Sequence, residues 1–265
     1  MSNTPSLRLE RSARHFLSTS FVLITSLWLA SAHAGPPFLT DDPQPVDYQH
    51  NEFYVFSTLD RTADGKALQL PGFEYNRGIF PDVQFHVVVS GARLIPAAGV
   101  SEWGMGDTEI GIKYRFIQET DDHPQVGIFP MIEAPTGSAA RGLGNGQAWY
   151  RLPVWIQKSS GDWTTYSGAG YTINRAPGAR NYPFAGWLLQ KQLNDSLTLG
   201  GEVFSQGADS DPGAGRTLVN LGGYWNFTPE FCLLFSAGHS IAGESHAIAY
   251  LGLYWTWGPE DKDGQ

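Results

Sequence analysis

From residue 50 onward, apolar and polar residues alternate with a period of two. In 82–89 (DVQFHVVV), Val83, Phe85, Val87 and Val89 fall on one side, with Asp82, Gln84 and His86 on the other. In 107–116 (DTEIGIKYRF), Thr108, Ile110, Ile112, Tyr114 and Phe116 oppose Asp107, Glu109, Gly111, Lys113 and Arg115. The same pattern sets Val126, Ile128, Pro130 and Ile132 against Gln125, Gly127 and Glu133. It sets Tyr150, Leu152, Val154 and Ile156 against Arg151 and Gln157, and Leu197, Leu199 and Val203 against Thr198 and Glu202. The last run groups Ala247, Ala249, Leu251, Leu253, Trp255 and Trp257, with His246, Tyr250, Tyr254 and Thr256 behind. Successive strand side chains point to opposite faces, so these are strands with one greasy and one polar face. None shows the three-and-four spacing of an amphipathic helix.

The pattern predicts strands near 52–60, 68–77, 82–91, 106–117, 124–134, 147–158, 162–174, 180–193, 196–206, 215–227, 230–240 and 245–257. Their connections alternate in length. Short turns fall at 78–81, 120–123, 159–161, 194–195 and 228–229; longer Gly/Pro/Ser-rich connections fall at 61–67, 94–105, 135–146, 175–179, 207–214 and 241–244. A meander barrel with short periplasmic turns and longer external loops has this rhythm, an even strand count and both termini on the periplasmic side. A β-sandwich also alternates, but has no reason to alternate its turn lengths around the whole chain. The expectation is therefore all-β: a transmembrane antiparallel up-and-down β-barrel of about twelve strands. Phe116, Tyr150, Trp163, Tyr182, Trp225, Trp255 and Trp257 stand near predicted strand ends, where interfacial aromatic girdles lie.

The ends of the chain fit export. Arg8, Arg11 and Arg14 precede an apolar run, FLSTSFVLITSLWLA at 16–30, and Ala32-His33-Ala34 then forms an A-x-A cleavage pattern. The run is shorter than the roughly 17 to 25 residues a spanning helix needs, which weighs against an uncleaved anchor. The expected layout is a cleavable signal peptide at 1–34, a periplasmic lead-in at 35–51 that can enter the lumen, a barrel at 52–257, and a charged tail at 258–265. Three of the 17 basic residues and one of the 26 acidic ones lie in the signal segment, so the remainder carries 14 basic and 25 acidic groups. That acidity argues against nucleic acid as a partner. Cys232 is the only cysteine, which excludes an intrachain disulfide and a C-x-x-C pair. The 31 glycines and 35 aromatics suit closely approaching strands.

Several segments are motif-like as a set: 40–48 (TDDPQPVDY) followed by His50-Asn51-Glu52, 70–78 (LPGFEYNRG), 103–116 (WGMGDTEIGIKYRF) and 129–143 (FPMIEAPTGSAARGL). So are 168–174 (GAGYTIN), 197–204 (LTLGGEVF) and 221–227 (LGGYWNF). Taken in order, they resemble the outer-membrane family associated with the meta-cleavage pathway of phenol degradation, whose members are described as transporters. The resemblance implies a barrel in the outer membrane and carries no active-site residues onto this chain. One departure is the tail: outer-membrane barrels commonly end on an aromatic, whereas here Trp257 is followed by GPEDKDGQ.

If the apolar faces meet lipid, the opposite faces line the interior. The candidate lumen residues are Glu52, Glu74, Gln84, His86, Asp107, Glu109, Lys113, Arg115, Glu133, Arg151, Glu202, Tyr224, Tyr250 and Tyr254, with Trp149 and Trp155 as further aromatic contacts. Charged side chains on the lipid face would each cost roughly 2 to 4 kcal/mol at midplane for a basic residue. This favours a channel or transporter for small, apolar or aromatic compounds, needing no cofactor and no chemistry. Expected partners are outer-membrane lipid and lipopolysaccharide, a small organic solute, and the periplasmic chaperones and barrel-assembly machinery during biogenesis. Two rival readings remain. One is a lipid-modifying hydrolase built on a His–Ser pair such as His86 and Ser90, for which no nucleophile, base and orienting group stand out. The other is a structural surface barrel without transport. Asp41, Asp42 and Asp47 read as turn formers or a polar lead-in rather than a cation site.

Overall fold

The computed structural model describes residues 36–259; the signal segment and its cleavage site, and the tail from 260 on, lie outside the described residues. The chain runs β1 (Asn51–Thr62), β2 (Gly65–Phe80), β3 (Val83–Pro96), β4 (Glu102–Met105), β5 (Thr108–Ile117), β6 (Gln125–Ile128), β7 (Met131–Ala134), β8 (Trp149–Ser160), β9 (Trp163–Asn174), β10 (Tyr182–Asn194), β11 (Leu197–Gln206), β12 (Arg216–Thr228), β13 (Phe231–Gly243) and β14 (Ala247–Trp257). All pairings between these strands are antiparallel, and β1 pairs with β14 from Asn51↔Trp257 to Arg61↔Ala247, which closes the sheet on itself. Closure leaves no open edge to satisfy, the condition for strands in lipid.

The fourteen segments make twelve staves. Strands β4 and β5 are one stave interrupted at Gly106-Asp107, both paired to β3; Gly106 N–H still donates to Ser90 O at 2.9 Å across the break. Strands β6 and β7 are one stave interrupted at Phe129-Pro130, because proline has no N–H for the ladder. The Pro130 carbonyl nevertheless accepts from Ile112 N–H at 3.1 Å. Three expected loops are corrected: 94–105 keeps only 97–101 outside strand, 241–244 is strand through Gly243, and the third is 61–67. Residues 61–67 belong largely to strand, since Thr62 pairs with Gly65 and the connection is a tight turn at 63–64. Gly65 takes φ 144°, which a side chain would resist, and so permits that turn.

Burial alternates along the staves as period two requires. Tyr114, Phe116, Tyr150, Leu152, Val154, Ile156, Leu199, Val203, Trp225 and Leu251 are exposed, while their neighbours Lys113, Trp155, Gln157, Glu202, Phe204 and Tyr224 are buried. A closed wall with a continuous apolar outer surface is a membrane wall. At the rim of the short turns, Phe231 stacks on Trp255 with ring centroids 4.8 Å apart, and Phe227 lies 5.1 Å from Phe231. Tyr182 departs from the expected girdle. It shares inward parity with buried Phe184 and Leu188 and lines a pocket instead. Val154, mid-strand and outward, is the simplest probe of the lipid face. Val154→Arg is expected to cost roughly 2 to 4 kcal/mol of folding into a bilayer, read by denaturant titration in vesicles, and no change would place that face away from lipid.

Candidate functional site

The interior is crossed by a segment that belongs to no stave. Residues 36–47 read PPFLTDDPQPVD. Their prolines lack N–H groups and favour extended backbone, so the segment cannot join the ladder but has few donors to satisfy when buried. Those donors find side chains. Leu39 N–H donates to Glu202 Oε2 at 3.1 Å and Thr40 N–H to Glu202 Oε1. Asp42 N–H reaches Asp41 Oδ1 at 2.7 Å, Gln44 N–H reaches Asp42 Oδ1 at 2.6 Å, and Val46 N–H reaches Gln84 Oε1 at 2.8 Å. Ser236 Oγ donates to Pro37 O at 2.6 Å. Lys113 Nζ lies 3.0 Å from Asp41 Oδ1 and 3.1 Å from Asp42 Oδ1. Phe38 packs with Tyr166 and Leu188. The strap fits because the wall is thinned beneath it: a Cβ at Gly186 would strike Thr40, and one at Gly127 would strike Pro43.

The structure brings most of the candidate lumen residues into two groups. One is a polar chain along β14, β1, β2, β3 and β5. Tyr54 and Tyr254 hydroxyls donate to Glu52 at 2.9 and 3.0 Å. Asn76 Nδ2 bridges Glu52 and Glu74 at 3.2 and 2.9 Å. His86 is held by Asn76 Oδ1 at 2.7 Å and Glu109 Oε1 at 2.8 Å, with Glu74 at 3.5 Å. Glu133 stands opposite Glu109 in register, and Tyr250 stacks on Phe56 with centroids 5.5 Å apart. Both His86 nitrogens are thus committed to Asn76 and carboxylates, which removes the general base a Ser90 nucleophile would require.

The second group faces the strap: Gln84, Lys113 and Glu202 directly, and Tyr224 through Gln190, whose Nε2 donates to the Tyr224 oxygen at 2.8 Å and whose Oε1 accepts from Tyr166, packed on Phe38. Arg151 lies over Phe184 at 4.4 Å and Phe204 at 5.8 Å, above an aromatic cluster of Phe129, Trp155, Phe184 and Phe204. Two candidates sit at the rims. Arg115 pairs with Asp82 at 2.6 Å beside the 81–82 turn. Asp107, at the β4–β5 break, accepts from Gly137 N–H at 2.8 Å and Asn145 N–H at 2.6 Å and so folds the 135–148 loop inward. Among the described residues no group of three or more His, Cys, Asp or Glu side chains converges to hold a metal. Sequence reasoning did not find Phe38, Thr40, Phe184, Phe204 or Ser236; the proline-rich run at 36–47 was the legible sign of the strap.

At the rim of the longer loops, a pocket of about 440 Å³ is lined by Asn145, Trp149, Thr172, Asn174, Gly178, Ala179, Tyr182, Asp209 and Ser210. Its walls are stitched together. Ala179 bridges Ser210, Arg180 N–H donates to Asp209 O at 2.8 Å, and Asp211 N–H donates to Gly178 O at 2.9 Å. Partial burial pushes the Asp209 carboxyl up, but the Arg216 bond at 2.9 Å and its charge outweigh this and hold it below its usual value. A depressed folded pKa gives stability that is complete above the ordinary value of 3.8 and is lost as pH falls through the lower folded one. Protection of the 207–215 amides, relative to their intrinsic exchange rates, should therefore fall on acidification below that value, and Asp209→Asn should abolish the dependence.

The family comparison decides the chain's kinship. Residues 50–256 match the family model described as "Putative MetA-pathway of phenol degradation". The chain belongs to that family. No curated protein matches it. Among solved structures, the COG4313 outer membrane channel from Pseudomonas putida F1 superposes with a TM-score of 0.68 at 13% identity, covering 82% of this chain and 98% of that one. The KdgM porin in complex with disordered oligogalacturonate gives 0.55 at 9% identity, covering 78% and 99%. The NanC porin gives 0.52 at 10% identity, covering 77% and 98%. The fold of this family member is that of outer-membrane channels and porins, with the apolar outer belt of a membrane-spanning barrel.

Proposed function

We propose that the protein is an outer-membrane channel for small, uncharged, apolar or aromatic compounds, its lumen narrowed in this conformation by the 36–47 strap. The observation that carries this reading is the origin of the filling. A structural barrel fills its interior with its own wall side chains, whereas here a separate segment crosses the lumen on hydrogen bonds and ion pairs that can exchange for water. Kinship and the channel-like fold support it. Four of the five connections on the rim that holds Asn51 and Trp257 are two residues long, against one of six, 63–64, on the other, and by the short-turn rule this supports both ends of the barrel facing the periplasm. The strap then enters from that side, and lipopolysaccharide surrounds the opposite rim. Delivery through the periplasm and insertion by the barrel-assembly machinery follow from that location. Liposome swelling tests the reading: phenol-sized neutral solutes should enter faster than disaccharides, and tight vesicles containing folded protein would sink it.

A further inference from the structure

The strap occupies one part of the lumen, but the pocket at the long-loop rim is separate and built. Trp149 and Tyr182 project inward from β8 and β10, on either side of β9, where Trp149 pairs with Asn174 and Tyr182 with Thr172. Two strand spacings separate β8 from β10, about 9.5 Å, which leaves room for one ring near the two aromatic side chains. Thr172 is 1% exposed and lines the pocket, and its Oγ1 has no hydrogen-bond partner. Buried hydroxyls are ordinarily paired, and an orphan one lining a cavity is an unmet demand that a ligand can meet. Asn145, Asn174 and Asp209 are already engaged. Asn145 and Asn174 bond each other at 3.0 and 3.2 Å, and Asp209 is already held by Arg216 and by Gln206 at 3.1 Å.

We infer that this mouth pocket is an entry site for an uncharged ring bearing hydroxyl groups, with Thr172 Oγ1 as its hydrogen-bond anchor and Trp149 and Tyr182 as its apolar contacts. The inference rests on the channel reading and names the solute class for it. An anion would meet the Asp209 carboxylate with Arg216 already engaged, so a neutral ring is favoured over an acidic one. Aromatic faces bind a hydroxylated ring equally well through a phenolic π-face or through the C–H face of a pyranose, so the shared chemistry leaves two sources. Below the pocket, the Thr172 position pairs with Arg151, whose guanidinium covers Phe184. A solute leaving the pocket therefore meets an aromatic cluster before it meets the strap.

Titration calorimetry on the full folded chain in detergent, with catechol, methyl α-glucopyranoside and benzoate as probes, tests this. One of the two neutral probes should bind saturably, and which one binds names the source; benzoate should bind more weakly. Thr172→Val, nearly isosteric, should weaken binding by up to about tenfold for one lost hydrogen bond, and Trp149→Ala should weaken it further. Retained heat-modifiable mobility confirms that each variant is folded. The inference is overturned if neither neutral probe binds, if benzoate binds equally well, or if both substitutions leave affinity unchanged. Bilayer conductance measured on the same preparations separates the two ideas. Conductance without probe binding defeats the mouth site alone; binding without conductance defeats the channel and leaves the site standing.

Discussion

Removing residues 36–47 is expected to raise single-channel conductance in planar bilayers several-fold, with the barrel still folded. The segment contributes nothing to the ladder, which closes through β1 and β14 without it. Its removal therefore should not open the sheet. What it does occupy is lumen: Thr40 and Asp42 are 0% and 2% exposed although neither belongs to the wall. Their loss exposes Lys113, Gln84 and Glu202 to water, which solvates them and offsets much of the cost of losing their partners. The opened lumen would carry Glu52, Glu74, Glu109, Glu133 and Glu202 against Lys113, Arg115 and Arg151. Current through the deletion variant should accordingly favour cations, and the preference should fade at high salt as screening shortens the reach of these charges. Unchanged conductance would mean that the wall itself is the obstruction, through the Tyr54–Phe56–Tyr254 and Trp155–Phe184–Phe204 clusters.

The wall was legible in the sequence, and what fills it was only partly so. The alternation in β5, β8 and β14 is clean because one face meets lipid and the other carries Glu109, Lys113, Arg151 or Gln157. In β10 the reading fails. YPFAGWLLQKQLN is apolar on both faces, and periodicity cannot tell that Phe184 and Leu188 point inward to meet an aromatic cluster and the strap while Trp187 points out. The same ambiguity put Tyr182 in a girdle. The breaks at Gly106-Asp107 and Phe129-Pro130 were also hidden, since a stave can keep its parity through an interruption. Asp107 illustrates the cost: parity assigns it to the lumen, but the break turns it toward the backbone of the 135–148 loop. Contacts between Lys113 and Asp41 or Asp42 join residues some seventy positions apart, and no local pattern reports such a pairing.

Those contacts set the second large effect. Lys113→Met is expected to unlatch the strap while sparing the barrel. Deleting one partner of a buried ion pair costs about 3 to 5 kcal/mol, because the remaining charge is left unpaired. Here the groups that lose the lysine are two carboxylates, Asp41 and Asp42, whose oxygens also organise the strap's own backbone through Asp42 N–H and Gln44 N–H. At about 1.4 kcal/mol per decade, the seated strap would lose roughly a hundred- to a few thousand-fold in population relative to the released one. Release should appear as proteolytic cleavage within 36–47 and as longer open times in bilayers. Glu202→Gln should do less, since its amide oxygen can still accept from Leu39 or Thr40 N–H. The triple variant Lys113→Met/Asp41→Asn/Asp42→Asn distinguishes a charge latch from simple packing. With both carboxylates neutralised, no buried charge is left without its lysine counter-charge, and the strap should reseat to near wild-type protection. A triple variant as leaky and as cleavable as Lys113→Met would show that the lysine's packing against Phe129, 5.0 Å from its ammonium, and not its charge, holds the strap in place.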